Sequence, residues 1–155
     1  MAMVLSQRRK IDQELAQVTL KQDQLQSAQQ ALLDSASSTD DSNARIRIEA
    51  INTDVTDSFR RVRNITTELK RDADIANPRI QEQMKYISEN LQGRIQGHYR
   101  LQSEFEQKLQ AQVRRRFEIA HPDATTEEVT AGVQNAIYSD QQVFEVYNRP
   151  IKWSF

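Results

Sequence analysis

Few residues in this chain have side chains suited to catalysis or metal binding. There are two histidines, His98 and His121, and no cysteine, which removes thiol nucleophiles, disulfides and thiolate metal ligands. No HExxH, GxSxG, glycine-rich phosphate loop or carboxylate-rich calcium loop accompanies the histidines. The sequence therefore predicts no catalytic residue, no metal site, no cofactor and no small-molecule substrate, so the chain is not expected to be an enzyme.

The two histidines and the one basic run have structural interpretations. His98 falls on the apolar face of a predicted helix, where a histidine hydrogen-bonded within a core is far more common than a metal ligand without partners. His121 precedes a proline and is expected to be exposed in a loop. The arginines at 114–116 could meet phosphates, but basic residues near a helix C-terminus also complement the helix dipole, and we favour that interpretation.

Gly93 and Gly97 match the GxxxG pattern of membrane helix dimers, but charged neighbours such as Arg94 are incompatible with burial in lipid. The structural alternative is that the two glycines allow a neighbouring helix to approach closely. Reflecting positions across the turn before the third predicted helix places Phe59 opposite them. The sequence therefore predicts that Phe59 packs against Gly93 or Gly97.

The composition favours long helices over a compact mixed fold. Of the 155 residues, 37% are apolar and 28% charged, and glycine and proline number only three each, too few for the turns of a sheet protein. The net charge of −1 gives no basic field for nucleic acid. No apolar run approaches the roughly 20 residues that span a bilayer, and the N-terminus lacks a signal-peptide segment. A cytoplasmic location is expected for the chain as given.

Apolar residues recur every seven positions in the first two segments, which is typical of amphipathic helices with one buried seam. The first helix is predicted to end in the polar run 34–42, whose small side chains compete with the helix for backbone hydrogen bonds. The second is predicted over about 43–75. Their seams consist of Val4, Ile11, Val18, Leu25 and Leu32, and of Ile48, Val55, Val62 and Leu69.

A third helix of about forty residues is predicted from Pro78, with Asn77 as its N-cap, to the region before Pro122. Thr125 and Glu128 then have capping-box spacing, which predicts a short fourth helix. That helix would carry Val129, Val133 and Ile137 on its apolar face. The remaining residues, 141–155, show no clear period.

These elements predict an all-α fold, an antiparallel up-down-up three-helix bundle with a long third helix and a short fourth linker helix. The predicted organisation is a bundle at 1–120, a linker with the short helix at 121–145, and an unstructured tail at 146–155. Reflection across the turns gives four core layers. They are Ile11, Leu69 and Met84; Val18, Val62 and Leu91; Leu25, Val55 and His98; and Leu32, Ile48 and Phe105.

Two stretches of the chain resemble the syntaxin family of membrane-fusion SNAREs, chiefly its exocytic, fungal members. The stretch LQSEFEQKLQAQVRRRFEIA at 101–120, followed by HPDATTEEV at 121–129, is similar to the end of the third helix and the linker of the N-terminal Habc regulatory domain. The stretch SFRRVRNITTELKRD at 58–72 is similar to its second helix. Here His98 replaces a common tyrosine. The family's SNARE motif and membrane anchor are not expected in this chain.

The resemblance implies a regulatory protein-interaction domain of a syntaxin-like t-SNARE, which controls SNARE complex assembly in vesicle docking, fusion and exocytosis. Its implied partners are SNARE-motif helices and SM-family regulators, and its implied location in a full syntaxin is the cytosolic face of the plasma membrane. A groove along helices two and three would hold a SNARE helix. Candidate groove residues, just off the core, are Phe59, Arg63, Thr66, Tyr86, Asn90 and Tyr99.

Three alternative functions fit the sequence less well. A spectrin-like or coiled-coil scaffold module also uses three helices with seven-residue seams, but the chain shows no internal repeat. A lipid-binding helical domain should show a larger basic face than residues 114–116 provide. An enzyme has no site in this sequence.

The third helix is expected to extend beyond the second, because a second helix starting near Asn43 reaches only about Gln110 by reflection. Val113, Phe117 and Ile119 continue the apolar stripe past that point. We expect this overhang to be exposed, and partly covered by the short fourth helix.

Overall fold

Most of the residues that the structure describes are helical. The computed structural model describes residues 2–35 and 38–138 and places four helices there: α1 (Ala2–Leu33), α2 (Ser38–Asp72), α3 (Pro78–Ala120) and α4 (Thr126–Tyr138). No strand occurs in these two ranges, so the predicted all-α class is confirmed. Within the same ranges, no helix is both long and apolar enough to cross a bilayer. The predicted tail, 146–155, lies outside the described residues.

The turn between α1 and α2 is shorter than the sequence predicts. α2 begins at Ser38 and not near residue 43, and it ends at Asp72 and not near 75. Its first turn contains Asp40 and Asp41, whose negative charges interact favourably with a helix N-terminus. Aspartate and serine favour helix starts as well as turns, so the polar composition of 34–42 could not distinguish the two.

The starts of α3 and α4 agree with the capping residues read from the sequence. Asn77 has extended backbone angles, and its Oδ1 accepts a hydrogen bond of 3.0 Å from the backbone N–H of Arg79. Pro78 occupies the first helical position, where its missing N–H is not needed. At α4, the hydroxyl of Thr125 accepts a hydrogen bond of 3.2 Å from the backbone N–H of Glu128. Both predicted N-caps are confirmed.

Ion pairs between α1 and α2 show that these helices run in opposite directions. The guanidinium of Arg61 donates to the carboxylate of Glu14 at 2.7 Å, and Lys21 Nζ lies 3.3 Å from a carboxylate oxygen of Asp54. As the position on α1 increases, the paired position on α2 decreases. α1 approaches α2 closely at more positions than it approaches α3.

α3 runs alongside α1 in the same direction and opposite to α2. Contacts between α1 and α3 join positions that increase together along both helices. Contacts between α2 and α3 run in reverse order, because Asn52 meets a later position of α3 than Phe59 does. α2 and α3 approach each other at fewer positions than either approaches α1. The pairs that define this arrangement are Arg8 with Gln83, Thr19 with Arg94, Gln22 with His98, Asn52 with Gln102, and Phe59 with His98.

The residues of the four predicted layers are all buried in the core. His98 forms hydrogen bonds with Gln22 and Asn52. Gln22 lies three residues before Leu25, and Asn52 lies three residues before Val55, which are the predicted layer partners of His98. These bonds place the third layer within one helical turn of its predicted position. The buried residues are Ile11, Val18, Leu25, Leu32, Ile48, Val55, Val62, Leu69, Met84, Leu91, His98 and Phe105.

The predicted contact between Phe59 and the GxxxG glycines is wrong. A Cβ built on Gly93 or Gly97 has no atom of a neighbour within 4 Å, and both residues are exposed. Gly97 precedes His98 by one residue and so lies about 100° around the helix from it. Gly97 therefore lies on a side of α3 that faces away from α2, whereas Gln102 lies on the side that faces α2. Phe59 instead packs edge-on to the ring of His98, with 5.9 Å between ring centroids.

Gln29 belongs to the core face of α1 despite its polar side chain. The residue is buried and lines a cleft between α1 and α3 together with Phe105. It lies four residues after Leu25 and three before Leu32, which puts it on the buried face of α1. An exposed glutamine is therefore the appropriate control for core substitutions.

Candidate functional site

Two of the predicted groove residues belong to the core. Phe59 is fully buried, and Thr66 is 1% exposed, with its hydroxyl donating a 2.8 Å hydrogen bond to the backbone carbonyl of Val62. Both were predicted to lie just off the core, so that placement is wrong for them. They follow Asn52 at intervals of seven, on the stripe of α2 that faces α3. A partner could not contact either side chain without separating the helices.

Two further groove candidates lie on the α1 side of α3. Tyr86 is exposed, and the guanidinium of Arg8 in α1 lies 4.1 Å from the centroid of its ring. Arg8 also donates a 2.6 Å hydrogen bond to Gln83. Asn90 is half-buried and follows Gln83 by seven residues, which places it on the same helix face. Neither Tyr86 nor Asn90 therefore contributes to a groove between α2 and α3.

Arg63 and Tyr99 are the two groove candidates that remain beside α2 and α3. Both are half-buried. Arg63 follows Phe59 by four residues, and Tyr99 precedes Gln102 by three, so each borders the stripe through which its helix faces the other. Tyr99 also packs against the hydrophobic core. The structure thus reduces the six-residue groove to a smaller surface beside these two side chains.

A cluster of polar side chains lies inside the core between the three long helices. Asn52 Oδ1 is 3.1 Å from His98 Nε2 and 2.9 Å from Gln102 Nε2, so one amide oxygen accepts from two side chains of α3. On the other side of the ring, Gln22 Nε2 is 3.3 Å from His98 Nδ1. These partners require a neutral imidazole with its proton on Nε2. We call these four residues the polar layer.

Burial determines the protonation of the polar layer. His98 is 3% exposed, and desolvation lowers its pKa from 6.5 to about 4, so the ring is neutral near pH 7. Gln102 is also buried, and its Oε1 has no hydrogen-bond partner in the described part of the chain. The sequence predicted a core-bonded His98 but missed Asn52 and Gln102. The available signal was the four-residue spacing from His98 to Gln102, which puts both on one face.

The overhang of α3 is shorter and better covered than predicted. Because α2 begins five residues earlier, it accompanies α3 further, and Val113 and Phe117 are half-buried. A Cβ added to Gly132 of α4 would overlap the ring of Phe117, so the ring packs on the glycine backbone. The expected cover by the fourth helix is therefore present. Ile119 remains 73% exposed.

The apolar face of α4, which carries Gly132, is also buried. Val129 is 4% and Val133 is 9% exposed, and within the described residues α4 contacts α3 and no other helix. The side chain of Ile137, the third predicted apolar residue, lies outside what the structure describes. His121 is exposed, as predicted, and its ring stacks on Phe117 at 4.4 Å between centroids.

The basic run serves the packing of the helices. Arg116 donates a 2.7 Å hydrogen bond to the backbone carbonyl of Ser35, and Gln112 donates to the carbonyl of Leu33, so both satisfy acceptors at the C-terminal end of α1. Arg114 pairs with Glu118 at 3.2 Å, and Arg115 is exposed. Arg116 therefore complements the C-terminal end of α1. The last turn of α3 itself contains no basic residue, so the dipole role expected for this run at the end of the third helix is wrong.

No protein-family model and no curated protein matches this chain. The functional assignment therefore rests on the residues and their geometry. Among the residues that the structure describes, no group of three or more histidine, cysteine, aspartate or glutamate side chains could hold a metal ion.

Proposed function

We propose that the chain is a regulatory protein-interaction domain of a syntaxin-like t-SNARE, built as an antiparallel up-down-up three-helix bundle with a long third helix and a short fourth linker helix. In this role it controls SNARE complex assembly by binding a SNARE-motif helix and SM-family regulators at the cytosolic face of the plasma membrane. The chain contributes binding and no catalysis.

The position of α4 is the observation that supports this proposal most strongly. α3 ends at Ala120, and after the turn at 121–125 the short α4 packs back on Phe117. A spectrin-like scaffold is built from stacked repeats, and this chain shows no internal repeat. A long third helix followed by a short docked helix suits a regulatory domain with its linker better.

The region beside α2 and α3 supports binding of an additional helix. These two helices approach each other at fewer positions than α1 and α2 do, and Arg63 and Tyr99 border them. An amphipathic helix can lay an apolar stripe against such a groove. The groove would have an occupied and an empty state, and a regulator shifts the equilibrium between them only by binding one state better than the other. An SM-family regulator must therefore bind the two states with different affinities.

Titration of a labelled SNARE-motif peptide into the 155-residue chain tests the proposal. We expect weak, saturable binding that Arg63→Ala or Tyr99→Ala reduces several-fold, because each removes a large side chain at the groove. Arg100→Ala, at an exposed position about 100° around α3 from Tyr99 and away from Gln102, is the matched control and should bind as the parent chain does. Absence of saturable binding by the parent chain would overturn the proposal. Equal affinity of all variants would show that the binding surface does not include Arg63 or Tyr99.

A further inference from the structure

The polar layer joins α2 to α3 by hydrogen bonds between buried side chains. Asn52 Oδ1 accepts from His98 and Gln102, and all three residues are at least nine-tenths buried. The backbones of α2 and α3 approach each other closely at fewer positions than those of the other long-helix pairs. Apolar packing alone tolerates sliding, because one aliphatic side chain can replace another of similar volume.

The residues seven positions away show what a slip of α3 against α2 would do. A shift of one heptad would bring Leu91 or Phe105 to the place of His98. Asn52 would then face an apolar side chain, and its buried oxygen would lose a donor. A shift of α2 has a comparable effect, because Arg45 or Phe59 would replace Asn52. A buried polar group without a partner is strongly unfavourable, so either slip is opposed.

The α1 side of the layer discriminates less. A one-heptad shift of α1 would replace Gln22 by Leu15 in one direction and by Gln29 in the other. Gln29 offers the same amide group to His98 Nδ1, so a slip in that direction would preserve the hydrogen bond. The layer therefore specifies the alignment of α2 with α3 more strictly than that of α1.

We propose that Asn52, His98 and Gln102 fix the register of α2 against α3, the two helices that border the candidate groove. A buried polar cluster is generally no more stabilising than apolar side chains of similar volume, and its best-attested role is the selection of one alignment. The unpaired Gln102 Oε1 agrees with that view, because an optimally stabilising cluster would satisfy it. The proposal does not depend on the SNARE assignment.

Distance measurement between two spin labels tests the register directly. The chain has no cysteine, so Glu49→Cys in α2 and Gln92→Cys in α3, both at exposed positions, give two unique labels. A heptad slip moves one helix by about 10 Å along the other, since each residue rises 1.5 Å. We expect one distance population in the parent layer. With Asn52→Leu, His98→Leu and Gln102→Leu combined, we expect a second population whose distance differs by up to about 10 Å, at unchanged helicity.

Two further variants make the experiment decisive. Thr66→Val also removes a buried polar group, but this hydroxyl bonds only within α2, so the single population should persist. If the triple variant does not fold, Asn52→Leu alone is measured, because it removes the acceptor shared by His98 and Gln102. A single population at the parent distance in whichever variant folds would overturn the proposal, and so would a second population in Thr66→Val.

Discussion

The middle and the C-terminal end of α3 are held in different ways. In the middle, His98 lies between α1 and α2, with hydrogen bonds to Gln22 and Asn52 and the ring of Phe59 against its edge. At the end, Phe117 packs on Gly132 of α4, a helix of 13 residues that contacts only α3 in the described part of the chain.

This difference in support predicts a difference in stability. Isolated helices shorter than about 12–15 residues are marginal in water, so α4 depends on its contact with α3 to remain helical. The middle of α3 shares a core with two helices of more than thirty residues and should unfold only with them. We therefore expect α4 to separate from α3 at a free energy well below that of global unfolding.

Phe105→Ala should have the largest effect and should act on the whole core. Phe105 is buried beside α1, and truncation of a buried phenylalanine typically destabilises a protein by about 3–5 kcal/mol. Chemical denaturation followed by circular dichroism would measure the change. Gln107→Ala, at an exposed position of the same helix, should alter the free energy of unfolding by less than about 0.5 kcal/mol. Comparable losses in both variants would contradict the core assignment.

Acid should weaken the middle of α3 through His98. Because burial lowers its pKa from 6.5 to about 4, the unfolded chain binds a proton over this range before the folded chain does. Stability is thus complete above pH 6.5 and falls toward pH 4 by up to about 1.4 kcal/mol per pH unit, on the order of 3 kcal/mol in all.

Denaturation at several pH values would measure this slope. Carboxylates also titrate in the range, so the relevant quantity is the difference between the parent chain and His98→Gln, which should lack the histidine contribution. His121→Gln, which changes the exposed histidine, should retain it. A parent chain and a His98→Gln variant with identical pH dependence would contradict a neutral, buried His98.

Gly132→Ala should act on α4 alone. The added Cβ would overlap the Phe117 ring, so α4 should lose most of its contact with α3 while the global unfolding transition hardly moves. Limited proteolysis at 121–125 would detect the change as faster cleavage. Phe117→Ala in the Gly132→Ala background provides room for the methyl group, and non-additive effects of the two changes would establish the contact. Additive effects would argue against it.

Gly97→Ala should have the smallest effect and the opposite sign. An added Cβ at this exposed helical position has no neighbour within 4 Å, and alanine is preferred to glycine in a helix by roughly 0.5–1 kcal/mol. We expect a slightly higher melting temperature, and the same for Gly93→Ala. A loss of stability at either glycine would restore the close helix contact that the sequence suggested.

Local signals in the sequence predicted the helices well. Asn77 before Pro78, and Thr125 three residues before Glu128, each place a capping group next to a run of helix-forming residues, and these starts depend on neighbouring residues only. The seven-residue spacing also identified the buried stripes. The start of α2 escaped prediction because serine and aspartate are as suitable for the first turn of a helix as for a loop.

The candidate site depended on the rotation of each helix, which spacing leaves open by tens of degrees. Phe59 was expected against glycines that face solvent, and Tyr86 was expected beside α2 although it packs under Arg8 of α1. Gly132 became significant only through Phe117, a residue distant in sequence. Such relations between helices follow from tertiary packing and are not encoded in any one segment.

Residue-resolved amide hydrogen exchange in native conditions tests the two-region account most directly. We expect amides of α3 around His98 to exchange with the free energy of global unfolding, and those around Val129 and Val133 of α4 to exchange through a local opening of lower free energy. Gly132→Ala should abolish protection in α4 and leave protection around His98 intact. Equal protection of the two regions in the parent chain, or a parallel loss in both on Gly132→Ala, would contradict the account.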